Sequence, residues 1–119
     1  MKILHILDHS IPLHSGYTFR TRAILEQQRA LGWQTFHVTS AKHIGAEKSI
    51  ENIDGFQFYR SQKMQGFLAK LPLFNQWAIV KSLFARLDEI IPEIKPDVLH
   101  AHSPALNGLA ALTAGRKFN

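Results

Sequence analysis

The chain predicts a Rossmann-like α/β fold: a parallel sheet of about four strands with helices on both faces, three in all. Three observations carry this. Short apolar runs without a helical stripe alternate with segments of helical periodicity. Their order reads βαβ…βαβα, and the connections are long enough to pair strands in parallel. At 119 residues the chain makes one domain, residues 1–119, and not two.

Lys2-Ile-Leu-His-Ile-Leu-Asp8 fits a central strand buried on both faces. The loop His9 to Gly16 follows, then a helix from about Tyr17 to Leu31, stopped by Gly32. Gln34–Thr39 reads as the second strand, Ser40–Asp54 as a polar loop and Phe56–Arg60 as a short third strand. Gln62–Asn75, interrupted by Gly66 and Pro72, reads as irregular. Val80, Leu83, Phe84, Leu87, Ile90, Ile91 and Ile94 then mark one buried helix face, which Pro92 is expected to end or bend near Ile91. Pro96–His102 gives the fourth strand. Ser103 as N-cap and Pro104 as first helical residue open a third helix, running out near Gly115–Asn119.

The composition, 45% hydrophobic and 19% charged, excludes a disordered chain. No apolar run approaches the ~20 residues of a membrane span, and the early Asp8 does not fit a secretory leader. With no cysteine there is neither a disulfide framework nor a thiolate site, so a cytoplasmic location is expected.

Ligands of open parallel sheets collect at the carboxyl ends of the strands. Those ends carry His9, His14, Ser15 and Gly16 after strand one, and His100, His102 and Ser103 after strand four. Helix N-termini entering the same crevice favour a phosphate. Gly16 would let a ligand approach the backbone; a glycine needed only for a tight turn is the plainer account. His100 and His102, two apart, share one strand face. No third ligand has clear spacing and no carboxylate stands beside them, so no metal is expected. His102, last on the strand, can offer its imidazole to a sugar hydroxyl or move a proton near neutral pH. The alternative has one histidine packed under the helix and the other solvated.

Charge is uneven. Of 14 Lys and Arg against 9 Asp and Glu, the whole excess of +5 lies between Gly55 and Leu87, in Arg60, Lys63, Lys70, Lys81 and Arg86. Leu68, Leu71, Leu73, Phe74 and Trp77 are interleaved with these bases. Such a stretch, residues 60–86, suits a peripheral membrane contact at the inner face. The preferred reading is plainer: the aromatics pack on the sheet and the lysines are solvated.

Taken together, Met1–Asp8, Pro12-Leu-His-Ser-Gly16, Leu31-Gly-Trp33 with His37-Val-Thr39, and Pro96-Asp-Val-Leu-His-Ala-His102 resemble the N-terminal domain of family 4 glycosyltransferases. The resemblance spans essentially the whole chain in the right order. Ser15 stands where the family's Pro-x-x-Gly-Gly loop has its first glycine. It implies a GT-B enzyme with its active site between two Rossmann-like domains, the second holding most of a nucleotide-sugar. That domain's Glu-x7-Glu motif does not occur in this sequence, which therefore reads as the acceptor-side part of an enzyme, inactive alone. The resemblance implies retaining transfer to a polysaccharide or lipid-linked acceptor, with no cofactor and no obligatory metal. Gly16, with Ser15, would hold the donor phosphate, and His102 would contact the transferred sugar as the catalytic group. His14, Tyr17 and Arg20 would line the acceptor side, and His100 and Ser103 would stand behind His102.

Other readings are a nucleotide-binding module and a non-catalytic flavodoxin-like binding domain. Against the first, strand one is followed by no Gly-x-Gly-x-x-Gly and strand two by no acidic ribose ligand. Against the second, Asp8 stands alone among histidines. Nucleic-acid binding is not expected, since no recognised motif accompanies the bases. The last strand, rich in Val98 and Leu99, is expected at an open edge that invites self-association.

Overall fold

A computed structural model of the protein describes all residues except 44, 46, 47, 63–71, 104 and 119, and excepting the side chain of residue 72. The elements are β1 (Lys2–Leu7), α1 (Gly16–Ala30), β2 (Gln34–Thr39), β3 (Ile50–Ile53), β4 (Phe56–Arg60), α2 (Pro72–Ile94), β5 (Val98–Ala101) and α3 (Leu106–Phe118). The sheet order is β3-β4-β2-β1-β5. All neighbours are parallel except the β3–β4 hairpin.

Alternation along β1 sorts the two faces. Leu4 and Ile6 join Val38, Tyr59, Leu83, Leu87, Ile90, Ala110 and Ala114 in a core under α2 and α3. Leu7 joins Ile11, Leu25, Phe56 and Phe58 under α1. Leu83 and Leu87 are fully buried, and each is worth about 1.5–3 kcal/mol against its exposed state. The expected layers are therefore present. Among the described residues, no helix is long and apolar enough to cross a membrane.

Four sequence expectations change. The segment read as a loop contains β3, because Asp54 (φ 51°) and Gly55 (φ 81°) close a two-residue hairpin turn between Ile53 and Phe56. The second helix begins at Pro72, in the stretch read as irregular; a proline costs no hydrogen bond in a helix's first turn. That helix also runs through Pro92 to Ile94 and ends at Lys95, in the left-handed region at φ 52°. Near a C-terminus the proline removes one bond while Ile90, Ile91 and Ile94 keep the last turn buried. Lastly, α3 starts at Leu106, so Ser103 is not its N-cap, and it continues to Phe118. α1 starts one residue earlier than expected, and Gly32 (φ 84°) stops it as predicted.

Candidate functional site

β1 and β5 are parallel neighbours with His5 opposite His100 and Ile6 opposite Ala101, so their carboxyl ends coincide. The chain leaves β1 for α1 on one face and β5 for α3 on the other. This divergence is the topological switch point, where open sheets form a crevice. The two loops are tied together: Ser103 Oγ donates to Asp8 Oδ2 at 2.7 Å, and the His102 amide donates to the Ile6 carbonyl at 3.0 Å.

The β1 side of the crevice is built on Ser15. Its extended backbone makes it the N-cap of α1, and its Oγ accepts the Thr18 amide hydrogen at 3.1 Å. His9 Nε2 lies 2.9 Å from the same hydroxyl. Gly16 is the exposed first residue of the helix. It is outside the left-handed region, and a Cβ built there meets no atom within 4 Å. Neither a tight turn nor packing requires this glycine, which removes the plainer account. Of the first-turn amides, that of Phe19 donates to the Ser15 carbonyl at 3.0 Å and that of Thr18 to the Ser15 hydroxyl.

Tyr17 is half-buried, meets the His9 ring at 4.8 Å with the planes tilted by 37°, and accepts the Asp8 amide hydrogen at 3.1 Å. Burial raises its hydroxyl above the usual range. The Arg20 guanidinium lies 5.8 Å from the Tyr17 ring, and its charge reaches His102. His14 is exposed and meets the Phe19 ring at 5.6 Å, apart from the histidine cluster.

On the β5 side, His102 is half-buried, with Nε2 2.8 Å from Nδ1 of His5. Nε2 of His5 lies 2.7 Å from Gln28 Oε1 on α1. His100 is exposed and stacks on His102 at 4.2 Å. Burial lowers His5 to about 4 and His102 to about 3, with neighbouring histidines adding to it. Both are neutral at pH 7. His102 is thus half-buried against His5 and His100 is solvated; among the described residues the ring contacts of His102 are with these histidines and not with a helix packed over it.

Sequence reasoning missed His5, His37 and Gln28. His37, His5 and His100 stand in register across β2, β1 and β5, and His37 is as deeply buried as His5. Burial lowers His37 to about 3. The available signal was polar imidazoles inside strands otherwise apolar enough to be covered on both faces. Ring nitrogens of His5, His100 and His102 lie within 4.8 Å of one another, a grouping able to take a metal that the spacing argument overlooked by omitting His5.

Arg60 also needs correction, since it is not part of a solvated basic patch. It is buried and bonds Glu51 at 2.8 Å, Ser10 at 2.7 Å, Thr39 at 3.2 Å and the Ile11 carbonyl at 3.3 Å. It braces the loop after β1 from below. Arg86 pairs with Glu89 at 2.6 Å. Lys63, Lys70, Leu68 and Leu71 lie outside the described residues. Leu73, Phe74 and Trp77 are exposed (81%, 50% and 58%), so they do not pack on the sheet as the preferred reading expected. Lys81 lies over the Trp77 ring.

No family model matches the chain, and no curated protein matches it. Among solved structures it is similar to a sucrose-phosphate synthase from Thermosynechococcus elongatus. The likeness covers 99% of this chain with a TM-score of 0.69 at 16% identity. The chain spans 31% of that protein's length. At that identity the likeness carries the fold alone, the Rossmann-like α/β arrangement described above.

Proposed function

We propose that this chain is the acceptor-side domain of a retaining family 4 glycosyltransferase. It acts with a second, donor-binding domain and passes a sugar from a nucleotide-sugar to a polysaccharide or lipid-linked acceptor. The observation that carries the reading is the meeting of the capped α1 N-terminus, with Gly16 bare of side chain, and His102 at one switch point. The amides of the first turn stabilise charge on the departing diphosphate, where an enclosed cleft strengthens each hydrogen bond. His102, neutral at pH 7, contacts a hydroxyl of the transferred sugar. Tyr17 and Arg20 border the acceptor path, and His14 stands at its outer margin.

The test is a 15N–1H titration of the chain with inorganic pyrophosphate and with a nucleoside-diphosphate hexose. The expected shifts gather on Ser15–Tyr17 with pyrophosphate and extend to His102 and Ser103 with the hexose, and Gly16→Val abolishes both. The chain alone does not turn over the nucleotide-sugar, because most donor contacts belong to the other domain. Shifts confined to another face, or turnover by the isolated chain, would refute the reading.

A further inference from the structure

We infer that Gln28 and His5 form a buried hydrogen-bond relay that fixes the tautomer of His102, so that its Nδ1 faces the crevice as an acceptor and never as a donor. This rests on the reading of His102 as the residue that meets the transferred sugar.

Gln28 Oε1 is an acceptor, so His5 carries its hydrogen on Nε2 and donates across 2.7 Å. A neutral imidazole has one N–H, which leaves His5 Nδ1 bare. The nitrogen 2.8 Å from it, His102 Nε2, must then carry the hydrogen. The hydrogen bond of the His102 ring among the described residues is at Nε2, which leaves Nδ1 with its lone pair. The depressed basicity of both rings keeps this arrangement through neutral pH. His5 is wholly buried and held from both sides, so the relay also fixes the plane of the His102 ring.

The ligand chemistry follows. A bare lone pair accepts an O–H hydrogen and repels a phosphate oxygen. His102 therefore selects a hydroxyl of the ligand, and the anion is left to the α1 N-terminus. A shared metal is the competing use of the same rings. Nitrogens around a tetrahedral zinc at the usual bond lengths stand about 3.3 Å apart. His5 and His102 are closer than that, at the separation of a shared proton.

The experiment is 15N NMR of the histidine side chains in the full chain at pH 7. The expected result is hydrogen on Nε2 of both His5 and His102, with a scalar coupling between His102 Nε2 and His5 Nδ1. Gln28→Glu, still an acceptor, keeps this pattern. Gln28→Lys, a donor only, reverses the relay and moves the His102 hydrogen to Nδ1. Hydrogen on Nδ1 of His102 in the wild type, a missing coupling, or a His102 tautomer indifferent to residue 28 overturns the relay. So does equimolar zinc that shifts all three imidazoles together. The relay intact with no response of His102 Nδ1 to a nucleoside-diphosphate hexose would leave the relay standing and refute the sugar-contact reading.

Discussion

Ser103 donates its hydroxyl to Asp8 across 2.7 Å, joining two loops whose residues are 95 apart in sequence. The bond closes the crevice floor at the point where β1 and β5 part company. A hydroxyl bonded to a carboxylate contributes about 1.5–3 kcal/mol. Ser103→Ala is expected to lower unfolding free energy toward the low end of that range, since Asp8 keeps Lys42 at 3.7 Å. Urea denaturation measures it, and an unchanged midpoint would show that the two loops are held by something else.

The buried histidines make stability depend on pH. His5 is lowered to about 4, and His37 and His102 to about 3, whereas an unfolded histidine titrates near 6.5. Above pH 6.5 both states are neutral and the term vanishes. Below it the unfolded chain binds protons that the folded chain refuses, so stability falls with acidity between about 6.5 and 3–4. Each such group contributes a slope of about 1.4 kcal/mol per pH unit. The half-buried His102 gives less than His37. His37→Gln is expected to flatten the slope near pH 5 by about one proton's worth, read from urea midpoints across pH 4.5–7. An unaltered slope would mean that His37 does not stay neutral in the fold.

Much of this was legible in the sequence because the strands and caps carry local signals. Lys2–Leu7 has no helical stripe, Gly32 supplies the left-handed stop, and Val80–Ile94 repeats at helical spacing. The hairpin was also written locally, in Asp54-Gly55, but the polar run before it hid a strand whose side chains are half exposed. What could not be read is long-range. Nothing near Arg60 in sequence announces that Ser10, Thr39 and Glu51 converge on it and bury its charge. Nothing near His102 points to His5, 97 residues away, or through it to Gln28. The crevice ends were predictable from topology, while the hydrogen-bond partners that set the chemistry required coordinates.

The edge of the sheet makes a further prediction. β5 has β1 on one side and no strand partner on the other among the described residues. Val98 is 44% exposed there, and a groove of about 840 Å³ lined by Leu99, Ala101, Leu112 and Phe118 runs beside it. An unpaired apolar edge is a template for a second strand. The chain is expected to self-associate with rising concentration in sedimentation velocity, and Val98→Lys to restore the monomer. A wild-type chain that stays monomeric to millimolar concentration would show that this edge is not sticky.

The exposed start of α2 bears on the membrane proposal. Leu73, Phe74 and Trp77 face solvent while Ala78, Ile79, Leu83 and Leu87 fill the core, so the apolar surface outside is additional to what packing needs. Exposed aromatics beside bases suit an anionic interface, where each base is worth about 1 kcal/mol, or roughly fivefold in binding. Arg60 does not count toward that sum, being buried and paired with Glu51. Neutralising Lys63, Lys70 and Lys81 together is therefore expected to weaken pelleting with anionic liposomes about 100-fold. Phe74→Ser with Trp77→Ser should weaken it at unchanged charge and unchanged thermal stability, since neither side chain is in the core. Binding that is indifferent to both the lysines and the aromatics, or equal on neutral lipid, would remove α2 as a membrane contact.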